Sequence, residues 1–259
     1  MKLSCLDAML GEVPLSERFA RARDAGFDGI DLRGDEVSGV LSVARALADQ
    51  FQVEIPTVYG RLRVPLVAAT AAERTRAMDI VRERLRCASA LGASALIVVP
   101  VFGEPRFSFD WPGGIDAVEL ALLAVELKEL ATDAAACEVA ILLEPLNRQE
   151  THLLRSPAAT ADFVRRIDNP WVAAMADTYH MDLEHQDAVA ELRHAGDQLR
   201  LMHLSDRHRR LPGAGGIDFP TIIRALRTQD YRGYLGFECR GTFEVDDLKE
   251  SVSYVRSLM

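Results

Sequence analysis

The stretch VAILLEPLNRQET, residues 139–151, joins a short apolar run to a group of charged and amide side chains. The apolar run leads directly into Glu144, and Asn147, Arg148 and Glu150 follow within the next six positions. An uninterrupted apolar run of this length, closed by a proline, is typical of a strand buried on both faces of a parallel sheet. The polar side chains therefore stand at the carboxyl end of a strand, where parallel α/β proteins place their functional groups.

Apolar runs of the same kind recur along the chain and alternate with segments of helical periodicity. Eight predicted strands cover residues 2–5, 29–32, 53–58, 95–100, 139–144, 172–177, 200–205 and 234–239. The main predicted helices cover residues 15–25, 70–91, 117–136, 157–167, 188–195, 219–228 and 245–258. Strands that alternate with helices indicate βαβ units and a parallel sheet. Eight such units in 259 residues predict an α/β protein, a (β/α)8 TIM barrel formed by residues 1–259 as a single domain.

An open doubly wound sheet is the alternative architecture, but its signature is missing. That fold commonly carries G-x-G-x-x-G directly after the first strand, and no such motif follows residues 2–5. The glycine-rich segment 213–216 follows the seventh predicted strand and has no P-loop lysine, which predicts an ordinary loop.

The segments between strands and helices carry two further signals. Four side chains are expected to cap the first turns of predicted helices: Ser16, Thr70, Ser156 and Asp218. Residues 102–114 form the one long irregular segment, which is rich in proline, glycine and aromatic residues. Two interpretations of it stay open, a lid over the barrel mouth or a surface loop packed by its own aromatic side chains.

The composition narrows the class of protein. The chain has a formal net charge of −9 and a sequence pI near 5.2, so its surface repels phosphate backbones and we expect no nucleic-acid partner. No apolar run approaches ~18 residues and residues 1–10 show no signal-peptide pattern, so we expect no membrane partner. Four scattered cysteines without a CxxC pair predict reduced thiols and a cytoplasmic location.

Four consecutive predicted strands supply residues that bind metal ions. Glu144 ends the fifth strand, Asp177 the sixth, and Glu238 lies at the end of the eighth, while His203 lies within the seventh. The carboxyl ends of barrel strands meet at one rim, so these side chains are expected to converge. Unpaired carboxylates in a cleft repel one another, and a divalent cation relieves that repulsion. Three carboxylates with one imidazole suit Mn²⁺ best, with Mg²⁺, Co²⁺ or Zn²⁺ as alternatives.

With these residues in place, the sequence resembles the xylose-isomerase-like TIM barrels, a superfamily of sugar isomerases, ketose 3-epimerases, inosose dehydratases and endonuclease IV. The resemblance covers essentially the whole chain. It is most specific in EPLNRQET (144–151), ADTYHMDLEH (176–185), HLSDRHRRLPGAGGIDF (203–219) and GYLGFEC (233–239). These blocks most resemble the ketose 3-epimerase and hydroxypyruvate isomerase branch.

The resemblance implies roles for individual residues. It implies that one divalent metal ion is held by four side chains: Glu144, Asp177, His203 and Glu238. It implies that two of these also act as the catalytic acid and base: Glu144 and Glu238. It implies that three others hold hydroxyl and carbonyl oxygens of a small carbohydrate substrate: Glu150, His180 and Arg209. Asn147 and Arg148 would fix the loop after the fifth strand, and a homo-oligomer is left open.

The implied activity is that of a metal-dependent isomerase or epimerase of a small keto-sugar or related hydroxycarbonyl compound. A carboxylate removes the proton next to a metal-chelated carbonyl, and an ene-diolate forms. The same site also suits a lyase, such as an inosose or dehydroshikimate dehydratase or a C-glycoside-cleaving subunit. A sugar-binding barrel without catalysis is a third interpretation, and the complete acid/base pair argues against it.

Two branches of the superfamily fit less well. Endonuclease IV relatives need a trinuclear zinc site with additional histidines, and the first four predicted strands end without one. Xylose isomerase carries a lysine-containing second-metal motif that this sequence lacks. We therefore expect a single metal ion.

Several side chains near these blocks have two interpretations. His180 is a substrate contact or, if the chain turns directly after the sixth strand, a further metal ligand. Asp206 orients a ligand or solvates a loop, and we favour the former. In the basic run 207–210, either one arginine enters the site, which we prefer, or the cluster binds an anionic sugar. Four residues at the ends of the second and third strands are candidates for the wall of the barrel mouth: Asp31, Arg33, Tyr59 and Arg61.

Overall fold

The strands hydrogen-bond to one another in sequence order and close into a barrel. The structure is a computed structural model, which describes residues 1–107 and 114–259. Its strands are β1 Lys2–Leu6, β2 Gly29–Arg33, β3 Thr57–Tyr59, β4 Ala95–Val98, β5 Ala140–Leu143, β6 Val172–Asp177, β7 Leu199–Leu204 and β8 Tyr234–Phe237. Every neighbouring pair is parallel, and β8 pairs with β1. The predicted (β/α)8 barrel is therefore confirmed.

Helices surround the barrel. In the described part of the chain they are α1 Leu15–Ala25, α2 Gly34–Val37, α3 Leu41–Phe51, α4 Ala71–Leu91, α5 Ile115–Cys137, α6 Pro157–Ile167, α7 Thr178–Leu183, α8 Ala188–Ala195, α9 Phe219–Thr228 and α10 Val245–Leu258. The predictions for α1, α6, α8, α9 and α10 match at both ends. No prediction was made for α3, because Val40 before it supplies no side-chain cap to mark its start.

The strands read as continuous apolar runs because both faces of the sheet are buried. Small and branched side chains fill the barrel interior: Ala95, Ile97, Ala140, Leu142, Ala173, Met175 and Leu201. The opposite faces pack against the helices in a larger core. Strand β3 is shorter than the predicted 53–58, because Pro56 has no N–H to donate to a neighbouring strand. Glu54 still accepts a hydrogen bond from Ile30 beside it.

Three of the four predicted caps are confirmed. Ser156 and Asp218 accept hydrogen bonds from the backbone N–H groups of Ala159 and Thr221. Thr70 forms a complete capping box with Glu73 at the start of α4. The prediction for Ser16 is wrong: α1 begins at Leu15, directly after Pro14, so Ser16 lies inside the helix and caps nothing.

Three further expectations concern the irregular segment, membrane-spanning helices and the cysteines. The irregular segment 102–114, interpreted as a lid or a surface loop, includes residues 108–113, which lie outside the described part of the chain. Within the described residues, no helix combines the length and hydropathy that crossing a membrane requires. All four cysteines are free thiols, as predicted.

Replacing Thr70 by alanine is expected to lower the free energy of unfolding by about 1 kcal/mol, because an orphan N–H at the start of α4 loses its acceptor. Urea unfolding followed by circular dichroism measures the change. Ser16→Ala is the matched control, since that hydroxyl caps no helix. Equal losses in the two variants would contradict the capping argument.

Candidate metal centre

The predicted convergence of four side chains at one rim is what the structure shows. Glu144 directly follows β5, Asp177 ends β6, His203 precedes the last residue of β7, and Glu238 directly follows β8. In the strand register Asp177 pairs with His203, which places both at one level of the barrel. One ligating atom from each of the four residues lies within 4.8 Å of the others. Parallel barrel order thus brings residues from four βα units to a single point.

The chemistry of this cluster fits a divalent cation. Three carboxylate oxygens and one imidazole nitrogen form a largely oxygen donor set, which suits Mn²⁺ or Mg²⁺ more than a thiolate-preferring ion. Nδ1 of His203 lies 3.0 Å from Oε2 of Glu238 and 3.6 Å from Oε1 of Glu144. His203 would therefore bind a metal through Nδ1. Asp177 and His203 are buried, and Glu144 is nearly so, so water screens their charges weakly.

Arg209 is the cation that faces the cluster. Its Nη1 donates to Oδ2 of Asp177 at 2.6 Å and to Oε2 of Glu238 at 3.0 Å. Its guanidinium lies 4.3 Å from the ring centre of Tyr179. Burial disfavours this charge, but Asp177 and Glu238 outweigh burial and raise the pKa of Arg209. Arg209 thus neutralises part of the negative charge that a metal ion would otherwise balance.

The pKa values of the rim groups move in opposite directions. Burial and the nearby charge of Glu238 raise the pKa of Glu144. Burial acts on Glu238 in the same sense, but Arg209 and His203 outweigh it and hold its pKa well below the usual range. Burial alone would lower the pKa of His203. The neighbouring Glu238 and Glu144 outweigh burial and raise this pKa well above the ordinary value. In the absence of an ion, these shifts favour the protonated forms of Glu144 and His203, with which a metal would compete.

His180 lies beside the cluster but outside the group of four ligating residues. The chain does turn directly after β6, since α7 begins at Thr178 with Asp177 as its cap. However, Nδ1 of His180 receives the backbone N–H of Asn147 at 3.2 Å, and Nη2 of Arg209 lies 2.9 Å from its Nε2. Both ring nitrogens already face protein groups, so the metal-ligand interpretation of His180 is not supported.

Two hydrogen-bond donors face the two ring nitrogens of His180, Asn147 at Nδ1 and Arg209 at Nε2. A neutral imidazole accepts at one nitrogen only, so Asn147 and Arg209 cannot both donate to this ring. If Nδ1 accepts from Asn147, Nε2 carries the proton and faces the Arg209 guanidinium. Glu150 completes the group: its Oε1 accepts from Nδ2 of Asn147 at 2.9 Å and lies 3.9 Å from Nδ1 of His180.

The loop after β7 brings one arginine of the basic run into the site. Arg209 is largely buried, whereas Arg207 is half exposed and pairs with Asp182. His208 and Arg209 both have left-handed backbone angles, with φ of 61° and 58°. Asp206 is buried and accepts from the backbone N–H groups of Gly213 and Ile217. The interpretation that Asp206 orients a ligand is therefore corrected: its carboxylate orders this loop.

A cavity of about 180 Å³ opens over the rim. Its walls include three of the four rim residues, the last residue of β3 and two side chains from the loops after β3 and β4: Glu144, His203, Glu238, Tyr59, Arg61 and Phe102. Arg61 stacks on Phe102 at 4.4 Å. Tyr59 and Arg61 thus take the places expected of them at the mouth. Phe102 could be predicted only as part of an aromatic segment.

Asp31 and Arg33 were also expected at the barrel mouth, but neither lines the cavity over the rim. Asp31 is fully buried inside the barrel, where it accepts hydrogen bonds from Ser4 and Thr57. Arg33 lies near the Tyr59 ring and pairs with Glu36. The expectation for Asp31 is therefore wrong, because its side chain points into the barrel below the rim.

A larger cavity, of about 770 Å³, lies at the opposite end of the barrel, between Leu142, Leu201, Tyr231 and Tyr234. It surrounds the amino-terminal ends of the strands. Active sites of this fold lie at the carboxyl ends, so we assign the functional site to the smaller cavity over the rim.

The fold and the rim residues define a (β/α)8 barrel with a candidate metal centre at the carboxyl ends of its strands. Within that class, the chain matches the sequence model of the xylose isomerase-like TIM barrel over residues 19–258 and belongs to that family.

Known proteins similar to this chain indicate which branch of the family it resembles. It is 24% identical to the 3-dehydro-D-guloside 4-epimerase of Escherichia coli K12, over 93% of this chain and 94% of that protein. It is 27% identical to the L-ribulose 3-epimerase of Methylomonas sp. DH-1, over 88% of this chain and 79% of that protein. The crystal structure of D-psicose 3-epimerase from Clostridium cellulolyticum H10 with D-tagatose shares the fold, with a TM-score of 0.89 and 20% identity over 100% and 99% of the two chains. These relatives confirm the predicted sugar isomerase and epimerase branch and do not favour the dehydratase alternative.

Metal binding is expected to release protons, because His203 and Glu144 hold raised pKa values in the ion-free site and ligands must be deprotonated. The apparent Kd for Mn²⁺ should rise as the pH falls, by about tenfold per pH unit for each proton displaced. Calorimetry in buffers of different ionisation heat counts the protons. A Kd that stays constant between about pH 6 and pH 8 would contradict this protonation state.

Proposed function

We propose that the protein is a divalent-metal-dependent epimerase of a small keto-sugar, which removes and returns a proton on a carbon next to the carbonyl. The observation that carries this proposal is the pair of carboxylates, Glu144 and Glu238, that faces one small cavity and belongs to a cluster of four side chains able to hold a metal ion. The sugar epimerases among the relatives agree with it.

The two carboxylates reach the cavity from separate strands. Glu144 follows β5 and Glu238 follows β8, three strands further around the closed ring. A substrate in the cavity would therefore have one carboxylate on each side. An epimerisation needs this arrangement, because the proton leaves one face of the carbon and returns on the other.

The proposed metal site consists of Glu144, Asp177, His203 and Glu238, with Mn²⁺ as the preferred ion. A bound divalent ion would supply Lewis-acid polarisation of the carbonyl and neighbouring hydroxyl oxygens. The side chains do the proton transfer: one glutamate accepts the proton from carbon and the other donates one to the opposite face. Glu144 and His203 are buried, so their electrostatic interactions in the site are weakly screened by water.

We assign substrate binding to Glu150, His180 and Arg209. The Arg209 guanidinium and the Nε2 side of His180 lie 2.9 Å apart at the edge of the cluster, and both offer donors when Asn147 holds Nδ1. A substrate hydroxyl or carbonyl oxygen beside both groups would accept from both. Glu150 is nearly half exposed, so its carboxylate is free to accept from a sugar hydroxyl.

Proton exchange tests the acid/base assignment directly. The Mn²⁺-loaded protein is incubated with a panel of keto-sugars in D₂O, and loss of the α-proton is followed by NMR. Glu144→Gln and Glu238→Gln should each reduce exchange by about a hundredfold or more, since each removes one proton carrier. EDTA should abolish it.

Glu126→Gln is the matched control for these variants. Glu126 is a buried carboxyl between α4 and α5, away from the rim, and burial raises its pKa to about 7, so glutamine resembles its protonated form. Its exchange rate should equal that of the wild type. Full exchange in Glu238→Gln, or the appearance of a dehydrated product in place of an epimer, would overturn the proposed function.

The arginine assignment has its own test. Arg209→Gln should raise KM by about ten- to a hundredfold, because a charged hydrogen bond to the substrate is lost. Arg207→Gln, in the same basic run but paired with Asp182 outside the cavity, should leave KM unchanged. Steady-state kinetics on the sugar found by the exchange assay measures both. Equal KM values for wild type and Arg209→Gln would refute substrate binding by Arg209.

A further inference from the structure

His203 has one nitrogen at the rim and the other in the barrel. Nδ1 faces Glu144 and Glu238, whereas Nε2 is buried and has no hydrogen-bond partner within the described part of the chain. A histidine that binds metal through Nδ1 carries its proton on Nε2. Metal-bound histidines almost always donate that second N–H to a carboxylate, a carbonyl or water, and a buried N–H without an acceptor is costly. An acceptor for Nε2 is therefore expected below the rim.

The strand register places a hydroxyl group opposite this ring. Gly236 on β8 pairs with His203 on β7 on one side and with Ser4 on β1 on the other. Ser4 and His203 therefore flank Gly236, which has no side chain to occupy the space beside them. The position that a Cβ of Gly236 would take lies 3.1 Å from Cδ2 of His203, the atom bonded to Nε2, and 3.2 Å from Oγ of Ser4.

A buried carboxylate stands behind this hydroxyl. Oγ of Ser4 donates to Oδ2 of Asp31 at 2.6 Å, and Oδ2 lies 3.4 Å from the same Cβ position on Gly236. Thr57 donates to the other oxygen, Oδ1, at 2.6 Å. With its proton directed to Asp31, the Ser4 oxygen is left as an acceptor, and the carboxylate itself has free lone pairs. Both groups are fully buried.

The electrostatics agree with this geometry. Burial raises the pKa of Asp31 to about 6, and the hydrogen bonds from Ser4 and Thr57 and the charge of His203 act in the opposite direction. Asp31 and His203 therefore attract each other through the barrel interior, where the field is weakly screened.

We propose that Ser4 and Asp31 position His203 as a metal ligand, with the Ser4–Asp31 pair accepting the N–H at Nε2. This inference rests on the proposed function, because His203 belongs to the metal site of that proposal. The pair acts through His203: it fixes the tautomer and the ring orientation and makes Nδ1 the more basic nitrogen. Gly236 provides the space in which the ring and the hydroxyl meet.

Mn²⁺ affinity, measured by calorimetry on the full chain, tests the inference. Ser4→Ala and Asp31→Asn should each raise the Kd for Mn²⁺ by about ten- to a hundredfold. Ser251→Ala is the matched control. Ser251 is a buried serine on α10, and its hydroxyl donates to the Pro212 carbonyl at 2.8 Å. Its Kd should equal that of the wild type. If Asp31→Asn fails to fold, Ser4→Ala still decides the question.

A spectroscopic readout separates positioning from a merely structural role. In the Zn²⁺-loaded wild type, the one-bond ¹H–¹⁵N signal of His203 should show the proton on Nε2 at a hydrogen-bonded chemical shift. Ser4→Ala should move this signal upfield, while Ser251→Ala should not. A structural role alone would lower the melting temperature of Ser4→Ala without changing either the signal or the Kd.

The two proposals fail in different ways. Equal Mn²⁺ affinity and an unmoved His203 signal in wild type and Ser4→Ala would overturn the inference, whatever the activity. Metal binding with a tenfold difference between these proteins, but no proton exchange on any keto-sugar, would overturn the proposed function and leave the inference standing. A wild-type protein that binds no divalent ion would overturn both.

Discussion

Three carboxylates held within 4.8 Å of one another and of an imidazole are the constraint on which the rest of this structure depends. Such a cluster is electrostatically unfavourable by itself, and its members cannot move apart because each is fixed at the end of a separate barrel strand. The surroundings must supply positive charge. In the structure this comes from Arg209 and from His203, whose pKa the neighbouring carboxylates raise, and in the proposed enzyme it would come from a divalent ion.

The loop after β7 supplies part of this positive charge through Arg209. It holds His208 and Arg209 in left-handed backbone conformations, which cost about 1–3 kcal/mol each for residues other than glycine. The carboxylate of Asp206 offsets this strain by accepting backbone hydrogen bonds from the far side of the loop. Arg209 is therefore held at the edge of the cluster, where it can contact the carboxylates or a bound sugar.

The rim could be predicted from the sequence because parallel barrel order converts chain order into spatial order. Once four successive strands are recognised, their carboxyl ends are expected to meet at one rim. This was enough to predict that four side chains converge: Glu144, Asp177, His203 and Glu238. The interior polar residues could not be predicted in the same way. Ser4 and Asp31 meet His203 only through the strand register across Gly236, and a serine or aspartate in an apolar run does not reveal its register. Likewise α3 lacks a capping residue, and Pro56 shortens β3 inside an otherwise strand-like run.

The candidate site is divided between the two halves of the barrel. All four proposed metal ligands lie at the ends of β5 to β8, whereas the opposite wall of the cavity comes from the end of β3 and the loops after β3 and β4: Tyr59, Arg61 and Phe102. This wall can therefore vary in sequence without altering the four rim residues. In the proposed enzyme, changes to this wall would reshape the cavity around the sugar, while the proposed proton carriers and metal ligands in the carboxyl-terminal half would stay intact.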